Sequence, residues 1–245
     1  MIIAADMSTP NFRFKQFTVW HDQCAMKVGT DGVLLGAWCP KGTHILDVGT
    51  GSGLIALMAA QRFPEASVDA IDIDEAAVEQ AQENFAASPW SDRLHAYLSP
   101  LQNWSNHQYD LIVSNPPYFQ NGLKNPDKAR QAARHTDTLS FAELFRHSAR
   151  LLSENGVLAL VLPAETEQEV RGLAAAELFS PTHITRVYSK ESKPARRVLM
   201  SFTRNSEIPE YRNSDTSLIE DSLVLENEIG GRSAAYQELT KDFYL

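Results

Sequence analysis

The heptapeptide Asp47-Val48-Gly49-Thr50-Gly51-Ser52-Gly53 constrains the fold of this chain more than any other stretch. It follows an apolar run at 45–48 and precedes the helical spacing of Leu54, Leu57, Met58 and Ala59, so its glycines fall where a strand gives way to a helix. Glycine there permits a tight turn and lets a ligand come close to the backbone. The spacing is G-x-G-x-G. A dinucleotide fingerprint needs glycine or alanine where this chain has Leu54, so a cofactor without a pyrophosphate fits better. About twenty residues further on, Asp72 follows a second apolar run at 67–71, where a carboxylate can accept both hydroxyl protons of a ribose. Asp74 is expected to cap the next helix.

Further runs at 94–98, 109–114 and 157–162 alternate with helical stretches at 75–87, 141–152 and 165–178, the pattern of parallel β/α units. The run at 109–114 is apolar enough to be buried on both faces of a parallel sheet. Runs at 184–189 and 197–203 have no helix between them and read as an antiparallel hairpin closing the sheet edge. The expected fold is α/β and Rossmann-like: a mostly parallel seven-stranded sheet, helices on both faces, and a C-terminal antiparallel hairpin. No repeat or linker is visible, and 245 residues suit one domain. Its expected divisions are an N-terminal segment at 1–40, a core at 41–205 and a C-terminal extension at 206–245.

Directly after the fourth strand stands Asn115-Pro116-Pro117-Tyr118. Two prolines hold the backbone extended and remove two N–H donors, leaving carbonyl oxygens to accept from something else. An amino group conjugated to a ring or carbonyl is a poor nucleophile. If the Asn115 side-chain oxygen and the Pro116 carbonyl accept its two hydrogens, the nitrogen is held with its lone pair aimed at an electrophile. Tyr118 offers a face for stacking a planar substrate and can stabilise positive charge arriving on nitrogen. No cysteine lies near this strand, so it offers no thiolate nucleophile.

The net charge of −9 argues against indiscriminate coating of nucleic acid, which depends on the number of phosphates neutralised. It leaves room for local basic patches, and two exist: Lys124, Lys128, Arg130, Arg134 and His135 after the tetrapeptide, and Lys190, Lys193, Arg196 and Arg197 near the final hairpin. Cys24 and Cys39 form no C-x-x-C pair, so no disulfide framework or metal cluster is expected and a reducing cytoplasm is favoured. No membrane-span or signal-peptide pattern is present.

The order of strand, glycine loop, helix, strand and Asp72 resembles the class I S-adenosylmethionine-dependent methyltransferases. That resemblance implies a cofactor whose methionine portion lies against Asp47, Gly49, Gly51 and Gly53, with Asp72 on its ribose. One departure is Ser99-Pro100, where such enzymes often carry an acid or amide that meets the adenine. Asn-Pro-Pro-Tyr occurs in enzymes acting on adenine N6, guanine N2 or a protein glutamine amide, and does not choose among them. The segment Met26–Trp38, the pair Arg134-His135, the stretch Lys193–Leu199 and the ending Asp242-Phe243-Tyr244-Leu245 are similar to the bacterial tRNA1(Val) adenine-37 N6-methyltransferase family, over nearly the whole chain. What the resemblance implies is methylation of an adenine in tRNA, with the N-terminal segment closing over the cofactor and Thr30 contacting it. Thr30 or Asp31 is expected to cap a short apolar helix there. The basic residues Lys124, Lys128, Arg130, Arg134, Lys193, Arg196 and Arg197 are expected to hold RNA phosphates while the base is flipped onto Tyr118. A cofactor-binding RNA module without turnover is the reading from another class.

Overall fold

The computed structural model describes residues 9–105, 108–116, 139–204 and 217–245. Its elements are β1 (Asn11–Arg13), β2 (Thr18–Trp20), α1 (Thr30–Trp38), β3 (His44–Val48), α2 (Leu54–Arg62), β4 (Ser67–Asp72), α3 (Glu75–Ala86), β5 (Leu94–Leu98), β6 (Tyr109–Ser114), α4 (Phe141–Leu151), β7 (Leu152–Pro163), α5 (Glu167–Ala176), β8 (Phe179–Tyr188), β9 (Ala195–Arg204), β10 (Ile219–Val224) and α6 (Ala234–Thr240).

The large sheet runs β10-β8-β9-β7-β6-β3-β4-β5. Only β9 is antiparallel to its neighbours, β7 and β8. Successive residues of each inner strand supply opposite faces: Ile45, Leu111 and Val113 join α1, α2 and α3 in one core, whereas Leu46, Ile112 and Leu158 join α4 and α5 in the other. Covering on both sides explains why these strands read as continuous apolar runs. Helix α2 is buried from Leu54 through Ala60 because α1 crosses it closely. A Cβ on Gly32 would meet Leu54 at 2.9 Å and one on Gly36 would meet Met58 at 2.7 Å, so the small i, i+4 pair on α1 sets that crossing.

Two features differ from the sequence expectation. Among the described residues the sheet has eight strands, because β10, from the 206–245 extension, pairs in parallel with β8. The β8–β9 hairpin consequently does not close the edge. Of the six residues of β10 only Leu223 is buried, so the strand carries no apolar period and is held by its ladder and by Arg186, which donates to both Glu220 (3.1 Å) and Glu167 (2.6 Å). In α1 the N-cap is Gly29, which has no side chain to offer; Thr30 is the first helical residue and neither it nor Asp31 caps.

The ending Asp242-Phe243-Tyr244-Leu245 fastens the N-terminal hairpin β1–β2. The Lys15 N–H donates to the Phe243 carbonyl (2.8 Å), and the Tyr244 ring stacks on Phe14, which stacks on Phe17. The Arg232 guanidinium lies over the Tyr244 ring, 3.9 Å from its centroid.

Candidate active site

Three neighbouring strands end together. Val48 of β3 stands in register with Ile71 of β4 and with Ser114 of β6. Gly49, Asp72 and Asn115 therefore leave the sheet along one edge, at the point where the strand order reverses and where open α/β sheets bind ligands. The Ser114 hydroxyl donates to the Val48 carbonyl (2.8 Å) and locks β6 to β3 there.

Two cavities adjoin at this edge. One of about 260 Å³ has apolar walls from Val48, Ile71, Ile73, Ala77 and Leu101, with Asp72 among them. The second, about 360 Å³, lies between the glycine loop and α1 and includes Lys27, Thr30, Asp31 and Arg197. Met26, Gly49, Gly51 and Asn115 belong to both, so Asn115 stands where the apolar and polar halves meet.

The three glycines of the loop all have positive φ, at 71°, 54° and 80°, but they do different work. A Cβ at Gly49 or Gly51 meets none of the described residues within 4 Å, and both glycines line the cavities. A Cβ at Gly53 would meet the Phe85 ring of α3 at 2.5 Å, so Gly53 lets the loop close on the core.

Polar side chains hold this loop from several directions. Asp47 is fully buried; its Oδ2 accepts from the Thr50 hydroxyl (2.7 Å) and the Ala56 N–H (3.2 Å), while Oδ1 has no partner among the described residues. Burial pushes its carboxyl up to about 7. It lines neither cavity and acts on the loop from behind. Asp72 is half-buried in the cavity wall, accepting from the Gly51 N–H at 2.9 Å and the Asp74 N–H at 3.1 Å. Each of its oxygens keeps a further lone-pair site. Asp74 caps α3 as expected, accepting from the Ala76 N–H (3.1 Å).

Arg197, expected among the phosphate-holding residues, instead lines the second cavity, where its Nε donates to Asp31 Oδ2 at 2.7 Å. Arg197 stands opposite Pro163, the end of β7, so the start of β9 lies on the same sheet edge as the site. Lys193 and Arg196, beside it, are exposed. Pro116 is buried next to the half-buried Asn115. Pro117, Tyr118, Lys124, Lys128, Arg130, Arg134 and His135 lie outside the described residues. Among the described residues no group of three or more His, Cys, Asp or Glu side chains is arranged for a metal ion.

Met26, the first residue of the segment expected to close over the cofactor, lines both cavities. Other wall residues carry no sequence signal: Cys24 and Ala25 line the apolar cavity, and Gln102, three residues beyond Ser99, supplies an amide in its wall. Burial and the carboxylates of Asp72, Asp74 and Asp22 push the Cys24 thiol up to about 11, so it stays protonated.

A solved structure from Agrobacterium tumefaciens, described as a predicted O-methyltransferase, superposes with a TM-score of 0.65, covering 87% of this chain and 96% of that one at 17% identity. The fold is that of the class I methyltransferases. The family model described as the methyltransferase small domain matches residues 28–186. Curated relatives from Bacteroides fragilis (45% identical, 98% of this chain and 99% of the relative) and Parabacteroides distasonis (48%, 98% and 99%) are both named tRNA1(Val) (adenine(37)-N6)-methyltransferase. The chain belongs to that family.

Proposed function

We infer that this chain is a tRNA (adenine-N6)-methyltransferase that uses S-adenosylmethionine and acts on A37 of tRNA1(Val), the substrate in its relatives' names. One observation carries the reading: Asn115 and Pro116 follow the strand end that faces the glycine loop, and Asn115 joins the two cavities.

The residues present fit the cofactor. Gly49 and Gly51 leave a cradle that any side chain would fill. Asp72 offers carboxylate oxygens to a ribose, Ile73 and Leu101 offer apolar walls to a purine, and Gln102 offers an amide where Ser99-Pro100 does not. Thr30, the α1 N-terminus and Arg197 suit a carboxylate in the second cavity. The unpartnered oxygen of Asp47 behind the loop favours a positively charged ligand in front of it. When bound, the cofactor supplies an electrophilic methyl group on a sulfonium.

The chain's own part is mainly positioning. The Asn115 side-chain oxygen and the Pro116 carbonyl each accept one hydrogen of the adenine amino group, which fixes the nitrogen lone pair. Tyr118 stacks the flipped base and stabilises charge arriving on it. No base need act before transfer, because the amine is neutral; its extra proton leaves afterwards. Lys193 and Arg196, with Lys124, Lys128, Arg130 and Arg134, hold phosphates around the mouth. One domain carries all of these roles. We place the protein in the cytoplasm: both cysteines are free thiols, and among the described residues no helix is long and apolar enough to cross a membrane.

The test is nucleoside mass spectrometry of tRNA incubated with the protein and cofactor. N6-methyladenosine is the expected product, and Asn115→Ala should reduce it by about 10²–10³-fold while cofactor binding persists. N2-methylguanosine, or cofactor binding with no transfer to tRNA, would overturn the reading.

A further inference from the structure

Two amide side chains, Gln80 and Asn84, stand one turn apart on the same face of α3, and each is 1% exposed. Buried amides at this depth must spend their hydrogen-bonding groups on something. Asn84 engages both donors and its oxygen with backbone: its Oδ1 accepts from the Trp20 N–H (2.9 Å), and its NH2 donates to the carbonyls of Trp20 (2.8 Å) and Ser52 (2.8 Å). It thus pairs with Trp20 as a second strand would, and at the same time grips the carbonyl between Gly51 and Gly53. Gln80 Oε1 accepts from the Gln23 N–H (3.1 Å). Glu83, on the same helix, accepts from the side chains of both Gln23 (3.3 Å) and Gln80 (3.2 Å).

The gripped segment continues directly into the cavity roof. Cys24, Ala25 and Met26 line the apolar cavity, and Met26, Lys27 and Val28 line the polar one. His21 closes the segment on itself: its Nδ1 accepts from the Val28 N–H (3.3 Å), so its Nε2–H donates to the Thr9 carbonyl (3.1 Å). Asn84 lines neither cavity. It nevertheless joins two of the walls that a ligand must touch, the glycine loop and the roof.

We propose that Asn84, seconded by Gln80, is a positioning residue for cofactor binding: an amide clasp on α3 that holds the 20–28 roof in register with the glycine loop. The inference rests on the reading that this cleft receives S-adenosylmethionine. Without the clasp, ordering the roof is a cost that each binding event must meet, so affinity falls while the chemistry at Asn115 is untouched once the site is filled. The pair Gln80 and Asn84 divides the work. Gln80 acts on the roof alone, whereas Asn84 acts on roof and loop together.

Asn84→Asp is nearly isosteric, keeps the acceptor for the Trp20 N–H, and turns a carboxylate oxygen toward two carbonyls. Titration calorimetry on the full chain with S-adenosylmethionine should show the dissociation constant rising on the order of tenfold or more. In the tRNA assay KM for the cofactor rises with it, while kcat at saturating cofactor and KM for tRNA stay within about twofold. Gln80→Met should give a smaller rise in the same direction. In the unmutated chain, hydrogen exchange at the Trp20 and Gln23 amides should slow when the cofactor is added, a readout that requires no variant to fold. Equal affinity in both variants, a fall in kcat with unchanged cofactor KM, or exchange at 20–28 indifferent to cofactor would each overturn the clasp. Failure of the unmutated chain to bind the cofactor at all would remove the reading beneath it, and the clasp with it.

Discussion

Replacing Gly53 by alanine adds one methyl group at a position with φ of 80°, directed at the Phe85 ring. The left-handed backbone costs an L residue roughly 1–2 kcal/mol. The methyl would lie 2.5 Å from Phe85 Cε1 and 3.3 Å from Ala81 Cβ, and Phe85 is itself 2% exposed within the core, so the ring has no free space to turn into. Overpacking of this kind adds roughly 1–3 kcal/mol. The sum, roughly 2–5 kcal/mol, corresponds to a melting temperature lower by roughly 4–20 °C in a protein of this size. Gly51→Ala has the same backbone penalty, at φ of 54°, but its methyl meets none of the described residues within 4 Å and enters the cavity instead. The two variants should therefore separate: Gly53→Ala melts early and binds cofactor normally at low temperature, and Gly51→Ala melts only a few degrees early and loses cofactor affinity. Thermal unfolding by circular dichroism with calorimetric titration reads both quantities. If Gly53→Ala melts with the unmutated chain, or if Gly51→Ala binds as tightly as it, the division of labour among the glycines is wrong.

Asp72→Asn should weaken S-adenosylmethionine binding by roughly ten- to a hundredfold, the value of a charge-assisted pair of hydrogen bonds, and lower the melting temperature by a few degrees, because the amide NH2 replaces the acceptor of either the Gly51 or the Asp74 N–H; equal affinity would remove the ribose assignment. Asp47 has a folded-state pKa of about 7 against an ordinary 3.8, so the folded chain keeps a proton that the unfolded chain loses between those values, and this carboxyl destabilises the fold increasingly as pH rises through that window. Urea unfolding should accordingly show Asp47→Asn gaining on the unmutated chain from pH 5 to pH 8, and a gap independent of pH would refute the buried-carboxyl account. Lys193→Ala and Arg196→Ala should raise KM for tRNA and each reduce the salt slope of binding by about 1; an unchanged slope would take that turn out of the RNA interface.

What could be read along the chain was whatever is local. The strands at 94–98 and 109–114 emerge with those bounds because burial on one or both faces leaves an unmistakable run. The glycine loop, Asp72 and Asn115 were visible because each is the last or next residue of a strand, and strand ends of a doubly wound sheet converge whatever lies between them. The α1 cap departs from the sequence expectation because Thr30 and Asp31 are good capping residues in a place where Gly29 has the extended backbone. Asn84 and Gln80 look like solvated helix positions, since their partners Trp20 and Gln23 are 64 and 57 residues away and are backbone groups that no side-chain pattern records. β10 failed for the opposite reason: a strand exposed at most of its length shows no period.

The two acids of the site show how much one step of register decides. Asp47 pairs with Ala70, one step inside the last β3 residue, Val48, which pairs with Ile71. Asp72 comes one step beyond that pair, past the end of β3, and has only Leu98 of the edge strand β5 beside it. Alternation turns Asp47 to the same side as Ile45, toward the core shared with α2, where the Ala56 N–H of that helix meets it. Chemically identical groups thus become a buried strut that fixes the loop from behind and an accessible acceptor that faces what the loop encloses. The strut carries an unpaired oxygen and a desolvation cost; a hydrophobic residue would fill the space more cheaply but could not accept from Thr50 and Ala56 at once. The cost is tolerated because Asp72 can address a ligand only while Gly51, whose N–H it accepts, stays where Asp47 and Asn84 hold the loop of three left-handed glycines.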